Sequence, residues 1–193
     1  INPVLRGVSW FFIWFFRGTP VYTQLIFWGL FAVLIPKISL GIPFTSVEFW
    51  SIDSNVVVTA FNAAWIGLAL NEAAYLSEIV RAGLEAVDPG QTEAAKALGM
   101  NRTLIMRRIV LPQALRTAVP ALSNSLIGMI KDTSLASNIT VAELFMAGQR
   151  VAARTYIFLP IYCEVAVVYL LFCTVITKLQ ALVERQLNAH GFQ

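Results

Sequence analysis

Hydrophobic positions along the chain gather into four long runs that are separated by polar segments. The runs extend from about residue 8 to 35, 56 to 80, 118 to 137 and 158 to 179. A helix needs about 20 residues to cross a lipid bilayer, so each run is long enough. None alternates between apolar and polar residues as a half-buried strand does. The pattern predicts an all-α protein with four or five membrane-spanning helices.

Three polar segments connect the runs and suggest an orientation in the membrane. Residues 82–117 carry most of the connecting basic charge, which the positive-inside rule places in the cytoplasm. Alternation then puts residues 36–55, a loop or short surface helix, and residues 138–157 outside. The C-terminus falls inside. Arg150 and Arg154 on the outer side weigh against this orientation.

Composition supports a lipid-facing protein. Of 193 residues, 58% are hydrophobic and 13% are charged, about half the charged share of a soluble domain. The mean hydropathy is +0.70. These values exclude a disordered chain, a coiled coil, a secreted disulfide scaffold and an ordinary cytosolic enzyme. The net charge of +3 reflects cytoplasmic loops rather than nucleic-acid binding.

Motifs for catalysis are missing from the sequence. The chain has no phosphate-binding loop, no nucleophile elbow and no cluster with metal-ligand spacing. Its single histidine, His190, lies in the polar tail. We therefore expect no catalytic residues, no metal and no cofactor.

The segment 82–117 contains the signals that start and stop helices. Asp88 can cap a helix whose first residue is Pro89, and Gly99 suits a left-handed stop. Asn101 can then cap a second helix over residues 102–110, which ends before the next proline. The two helices could lie on the membrane surface, or the first could dock on a cytoplasmic partner.

Part of this segment resembles the EAA loop of ABC-importer permease subunits. The matching residues are Glu93, Ala94, Ala95, Gly99, Ile109, Leu111 and Pro112. Other matches resemble the branch that carries polar amino acids of the histidine, glutamine and arginine type. They are Phe16–Pro20 with Gln24 and Leu25, Ala74 and Tyr75 with Glu78 and Arg81, and Lys131–Leu135.

The resemblance implies a fold, a location and partners. Residues 1–193 would form one transmembrane permease domain in the bacterial inner membrane, with residues 82–117 as its coupling loop. Glu93, Ala94, Ala95 and Gly99 would engage a cytoplasmic dimer of ATP-binding subunits, which hydrolyses the ATP. A second permease subunit, identical or related, and a periplasmic or lipid-anchored substrate-binding protein complete the importer. Members of the branch usually have one more helix before the position of Asn2, so we expect the first helix to be missing.

Polar residues in the second run share one face of a helix. Gly67, Asn71, Tyr75 and Glu78 fall within about 60° of one another at helical spacing. Arg81 is three residues from Glu78 and can pair with it. The stripe is either a polar contact between helices or part of a substrate route or gate.

The third run places an acid and a base at membrane depth. Lys131 lies about 21 Å of helix from Thr117, on the same face as Asn124, and Asp132 follows it. The two charges could complement the carboxylate and ammonium of an amino acid. Alternatively, they form a mutual or an interhelical ion pair that closes an outer gate, or Asp132 caps a following segment. Asp132 is our preferred substrate contact.

Two further features have structural interpretations. Pro20 is expected to kink the first helix, near the translocation path on a functional interpretation. Glu164 could extend to water at the outer interface, face the pore, or pair with Arg150 or Arg154, and pairing is the preferred interpretation. An alternative function, an ATP-independent secondary transporter or channel, would have no use for a docking helix.

Overall fold

The computed structural model describes residues 2–42 and 47–189 and is mostly helical, as the hydrophobic pattern predicts. The chain packs as two compact units. The first comprises the residues up to Glu72 together with Lys131–Val167, and the second comprises Ala73–Ile130 with the residues from Val168 on. The chain passes from one unit to the other within three of its long helices.

The first part of the chain, up to residue 57, forms α1 (Pro3–Gly18), α2 (Val21–Gly29), α3 (Phe31–Leu34), β1 (Lys37–Gly41), β2 (Glu48–Asp53) and α4 (Ser54–Val57). The remainder forms α5 (Ala60–Glu85), α6 (Pro89–Ala97), α7 (Arg102–Ile105), a π-helical turn (Met106–Val110), α8 (Leu111–Asp132), a 3-10 segment (Thr133–Ile139), α9 (Leu144–Thr155) and α10 (Phe158–Ala189).

The first hydrophobic run is broken at Pro20 rather than kinked. Thr19 and Pro20 are both extended, so α1 ends and α2 begins anew. Pro20 has no N–H to donate to the carbonyl four residues before it, which favours a break. The resulting helices of 16 and 9 residues are shorter than a single bilayer crossing requires.

The prediction of a loop or surface helix for residues 36–55 was wrong, because this segment contains a β-hairpin. β1 and β2 pair antiparallel, with Lys37 opposite Asp53 and Leu40 opposite Trp50. Most of its side chains are exposed. Runs of β-branched and aromatic residues favour strands, but they are too short here to be distinguished by periodicity.

Small residues let the helices of the first unit approach closely. Its core is formed by Leu25, Ala63, Ala64, Ala136 and Ile139. A Cβ at Gly67 would lie 3.0 Å from a methyl carbon of Leu25. A Cβ at Gly29 would lie only 2.6 Å from a methyl carbon of Ile139. Close approach through glycine and alanine is typical of helix contacts in membrane proteins.

Residues 138–157 contain a helix that the sequence analysis treats as an outer loop. Glu143 caps α9, because its carboxylate accepts hydrogen bonds from the N–H groups of Phe145 and Met146 at 2.7 and 2.6 Å. A Cβ at Gly148 would lie 2.5 Å from a methyl carbon of Val165, so this face of α9 packs against α10.

The prediction that the second helix of residues 82–117 ends before Pro112 was wrong. This helix passes through the π-helical turn directly into α8. The N–H of Leu111 donates to the carbonyl of Met106, five residues back. Pro112 cannot donate to Arg108, and the wider turn adjusts the backbone next to this missing bond.

Exposed apolar surface is extensive on several helices. Trp10 and Trp14 are more than half exposed, and none of the residues of α1 is buried. By length and apolarity, one helix of the described residues, Phe158–Arg185, could cross a bilayer, a criterion that other kinds of helix also meet. Polar residues such as Asn71 and Glu72 make α5 less apolar than this criterion requires.

Candidate functional site

The helix α6 begins and ends as its sequence predicts. Asp88 is its N-cap, and its carboxylate accepts a hydrogen bond of 2.8 Å from the N–H of Gly90. Pro89 occupies the first turn, where its missing N–H costs nothing. The cap at Asp88 and the proline that follows it fix the start of the helix that carries Glu93, Ala94 and Ala95.

Gly99 ends this helix in the left-handed conformation, with φ of 78°. Its N–H donates to the carbonyl of Lys96 at 2.9 Å, and the N–H of Met100 donates to the carbonyl of Ala95 at 3.1 Å. This pair of bonds defines a Schellman turn. A Cβ at Gly99 would meet no atom within 4 Å. Glycine is therefore required by the backbone conformation and not by space.

The EAA residues divide between the surface and the interior. Ala95 is buried, with 4% of its surface exposed, whereas Glu93 and Ala94 are exposed. Leu98 is 83% exposed, an unusual value for a leucine at the end of a helix. Glu93, Ala94 and Leu98 are thus accessible to a partner, and Ala95 anchors the helix.

The polypeptide after Gly99 is fixed by a second cap and by a close contact. The side chain of Asn101 accepts a hydrogen bond of 2.9 Å from the N–H of Leu104, as its predicted capping role requires. In the same unit, a Cβ at Gly83 would lie 2.9 Å from the carbonyl oxygen of Ala114. This role of Gly83 could not be predicted, since a glycine inside a helical run gives no sign of what it contacts.

Arg81 makes the predicted ion pair with Glu78. The two side chains approach to 2.6 Å. Arg81 also contacts Glu85 at 2.8 Å, so one guanidinium bridges two carboxylates on α5. Arg81 is exposed and Glu78 is half-buried, so water screens much of the attraction between their charges.

Asn71, from the predicted polar stripe, replaces a backbone hydrogen bond that is missing at the break before Pro20. Pro20 leaves the carbonyl of Phe16 without its helical donor. The side-chain amides of Gln24 and Asn71 donate to that oxygen instead, at 2.9 and 3.0 Å. Gln24 and Asn71 are 5% and 8% exposed. The side-chain nitrogen of Asn71 donates to the side-chain oxygen of Gln24 at 3.3 Å. At this residue, the stripe makes a polar contact between helices.

Lys131 and Asp132 end α8, and neither forms an ion pair with any residue that the structure describes. The hypothesis of a mutual pair is therefore wrong. Successive side chains on a helix point about 100° apart, which keeps the two charges separate. Because α8 begins at Leu111, Lys131 lies about 30 Å of helix from its start.

Asp132 lies at the change from α-helix to the 3-10 segment but does not cap it by a side-chain hydrogen bond. Its backbone remains helical, with φ of −68° and ψ of −19°. A capping carboxylate needs an extended backbone in order to reach the following N–H groups. The side chain of Asp132 is half-buried.

The other candidates are exposed. Asn124 and Tyr75 are exposed on α8 and α5. Within the described residues, Glu164 pairs with neither Arg150 nor Arg154, contrary to expectation. Arg150 and Arg154 lie two and six residues beyond Gly148, which packs against Val165 of α10, so both point away from this contact. His190 lies outside the described residues.

A family model matches residues 1–189, and its family is described as the inner membrane component of binding-protein-dependent transport systems. The chain belongs to this family. The resemblance to ABC-importer permeases and the predicted helical permease fold are thereby confirmed.

Relatives and a solved structure agree with this assignment. The arginine transport system permease protein of Corynebacterium glutamicum is 44% identical over 185 residues, which are 95% of this chain and 57% of that protein. A probable amino-acid permease protein of Bacillus subtilis is 41% identical over 188 residues, 96% of this chain and 76% of that protein. A crystal structure of an amino acid ABC transporter with histidines matches with a TM-score of 0.77 and 34% identity, over 96% of this chain and 78% of that one. The chain thus spans little more than half the length of the arginine permease.

Proposed function

We propose that this chain is the permease subunit of an ATP-driven importer that moves a polar amino acid across the bacterial inner membrane. The family match over residues 1–189 carries the proposal. The relatives described as arginine and amino-acid permeases support the substrate class. Residues 1–193 would act as one permease domain.

Residues 82–117 would couple the permease to a cytoplasmic dimer of ATP-binding subunits, where ATP is hydrolysed. Support comes from the geometry of α6: both of its ends are fixed, and Glu93, Ala94 and Leu98 are accessible. A rigid, capped helix transmits a push along its axis, whereas a flexible loop would absorb it. The basic charge of this segment favours its cytoplasmic placement.

Two further partners belong to the proposal. A second permease subunit, identical or related, would complete the translocation path. A periplasmic or lipid-anchored substrate-binding protein would deliver the amino acid, in keeping with the name of the family. A family that depends on a binding protein gives no support to an ATP-independent secondary transporter or channel.

Substrate contact is proposed for Asp132, Lys131 and Asn124, all of which belong to α8. Asp132 and Lys131 lack ion-pair partners among the described residues, and an unneutralised charge pair at a helix end suits a zwitterion. Glu78, Arg81 and Tyr75 on α5 are proposed as gate residues, and the bridge from Arg81 to two carboxylates concentrates charge on this helix.

Replacing Gly99 tests the coupling role. Gly99→Val should force the turn out of the left-handed conformation and lower substrate uptake per ATP hydrolysed several-fold, because a β-branched residue is strained there by about 1–2 kcal/mol. Uptake and ATP hydrolysis would be measured together in proteoliposomes that contain the assembled importer. Gly99→Asn is the matched control, since asparagine tolerates this conformation. Full coupling in the valine variant would refute the docking role of α6.

Replacing Asp132 tests the substrate contact. Asp132→Ala should weaken amino-acid binding by the assembled transporter about tenfold or more, the usual loss for a hydrogen bond to a charged group. Binding would be measured by calorimetry on the purified complex. Glu164→Ala serves as the control, because it removes an exposed carboxylate that forms no ion pair within the described residues. An unchanged affinity for the Asp132 variant would assign this residue a structural role only.

A further inference from the structure

A basic cavity of about 320 Å³ lies beside the π-helical turn of the second unit. It is lined by Gln91, Arg108, Ile109, Pro112, Gln113 and Arg116. Two guanidinium groups and two amides thus face one space, and none of the lining residues is acidic. The cavity has the composition of a site for an anion.

Helical spacing explains how the charges come together. Arg108, Pro112 and Arg116 follow one another at intervals of four residues, so they lie on one face from the π-helical turn into α8. Gln91 closes the cavity from α6. The side-chain amide of Gln113 donates to the carbonyl of Ile109 at 3.0 Å, and the two guanidinium groups supply the positive charge of the cavity. Arg116 is half-buried, and partial burial strengthens its attraction for an anion.

Exposed apolar side chains flank the charged cavity. Met106, Leu111 and Leu115 are each between 43% and 47% exposed. Leu111 and Leu115 each precede a cavity residue by one position, so they form an apolar strip beside it. A ligand that suits both surfaces has an anionic head and a hydrocarbon tail.

We propose that this cavity binds the phosphate of an anionic phospholipid headgroup, with an acyl chain along Leu111 and Leu115. Arginine holds phosphate oxygens through paired N–H donors, which makes it the suitable cation here. Basic pockets at the cytoplasmic membrane surface bind such headgroups. The inference rests on the proposed function only for the placement of residues 82–117 at that surface. Lipid binding at this cavity would make the C-terminal end of the proposed coupling loop, where it joins α8, sensitive to the lipid composition of the membrane.

Native mass spectrometry of the assembled transporter in detergent tests this proposal, with phosphatidylglycerol and phosphatidylcholine as probes. Phosphatidylglycerol should remain bound, and Arg108→Gln or Arg116→Gln should each lower its bound fraction about fivefold, the effect of roughly one basic residue near a lipid surface. The matched control is Arg107→Gln, which removes the same charge from the neighbouring residue outside the cavity. The fraction of phosphatidylglycerol that remains bound to this control should change less than twofold. Arg108→Lys should fall between the glutamine variant and the unmodified protein, and circular dichroism establishes that each variant is folded.

Several outcomes would overturn the inference. Equal losses for Arg107→Gln and Arg108→Gln would indicate diffuse attraction rather than a site. Displacement of the lipid by millimolar inorganic phosphate would identify free phosphate as the ligand. Unchanged lipid binding together with loss of the ATP-binding subunit in Arg108→Gln would show that a protein carboxylate occupies the cavity. Lipid binding needs neither ATP nor substrate, so a failure of transport alone would count against the proposed function and leave this inference intact.

Discussion

Two helix ends in this chain have the same pattern of hydrogen bonds but a different residue in the left-handed position. At the Gly99 turn the paired bonds measure 2.9 and 3.1 Å, and at the Thr140 turn they measure 3.1 and 3.2 Å. Both residues are left-handed, with φ of 78° and 68°. Glycine adopts this conformation freely, whereas a β-branched residue such as threonine rarely does.

Packing accounts for the difference. The Gly99 turn is exposed, so local backbone preference alone must hold it. Before Thr140, the residues Ala136, Ser137 and Ile139 are buried in the first unit, and Ile139 packs against Gly29. A strained residue of this kind costs about 1–3 kcal/mol and persists only where its surroundings fix it. One turn is therefore specified by its own residue and the other by its neighbours.

The largest expected effect comes from disturbing what holds the Thr140 turn. Gly29→Ala should destabilise the protein by about 1–3 kcal/mol, because the new Cβ would lie 2.6 Å from Ile139. At this chain length that shift lowers the midpoint of thermal unfolding by at least about 2–4 °C in detergent. Gly18→Ala is the control, since a Cβ there meets nothing within 4 Å. Equal midpoints for the two variants would contradict the packing explanation.

Exchanging glycine at the two turns should have opposite effects. Gly99→Ala should destabilise the protein by about 1–2 kcal/mol through left-handed strain, whereas Thr140→Gly should relieve strain and stabilise it by up to about 1 kcal/mol. Thermal unfolding of both variants, measured by tryptophan fluorescence, gives the two signs. A loss of stability in Thr140→Gly would mean that the threonine side chain contributes more than its backbone costs.

The smallest effect concerns two aspartates at helix starts. Asp88→Ala should cost about 1 kcal/mol, because the carboxylate holds the N–H of Gly90 at 2.8 Å. Asp132→Ala should change the stability by less than about 0.5 kcal/mol, since its side chain makes no capping bond. Hydrogen exchange in α6 and in the 3-10 segment would measure both. Faster exchange in the 3-10 segment of Asp132→Ala would show a structural role for that residue.

Features that depend on neighbours in the sequence could be predicted, and those that depend on distant residues could not. The cap at Asp88, the stop at Gly99 and the pair of Glu78 with Arg81 involve bonds between residues at most five positions apart. The contact between Asn71 and Phe16 joins residues 55 positions apart. The helical spacing therefore indicated that Asn71 belongs to a polar stripe, but it could not indicate a partner so distant in the sequence.

By itself, the sequence determined the helical class, the family and the boundaries of α6, because hydrophobic periodicity and capping residues act locally. Only the tertiary structure decided which glycines are contact points, which alanine of the EAA segment is buried, and that Lys131 and Asp132 remain separate. It also placed Gln91 of α6 over the cavity beside Arg108 and Arg116. These outcomes depend on the direction in which side chains point and on what they meet, and packing sets both.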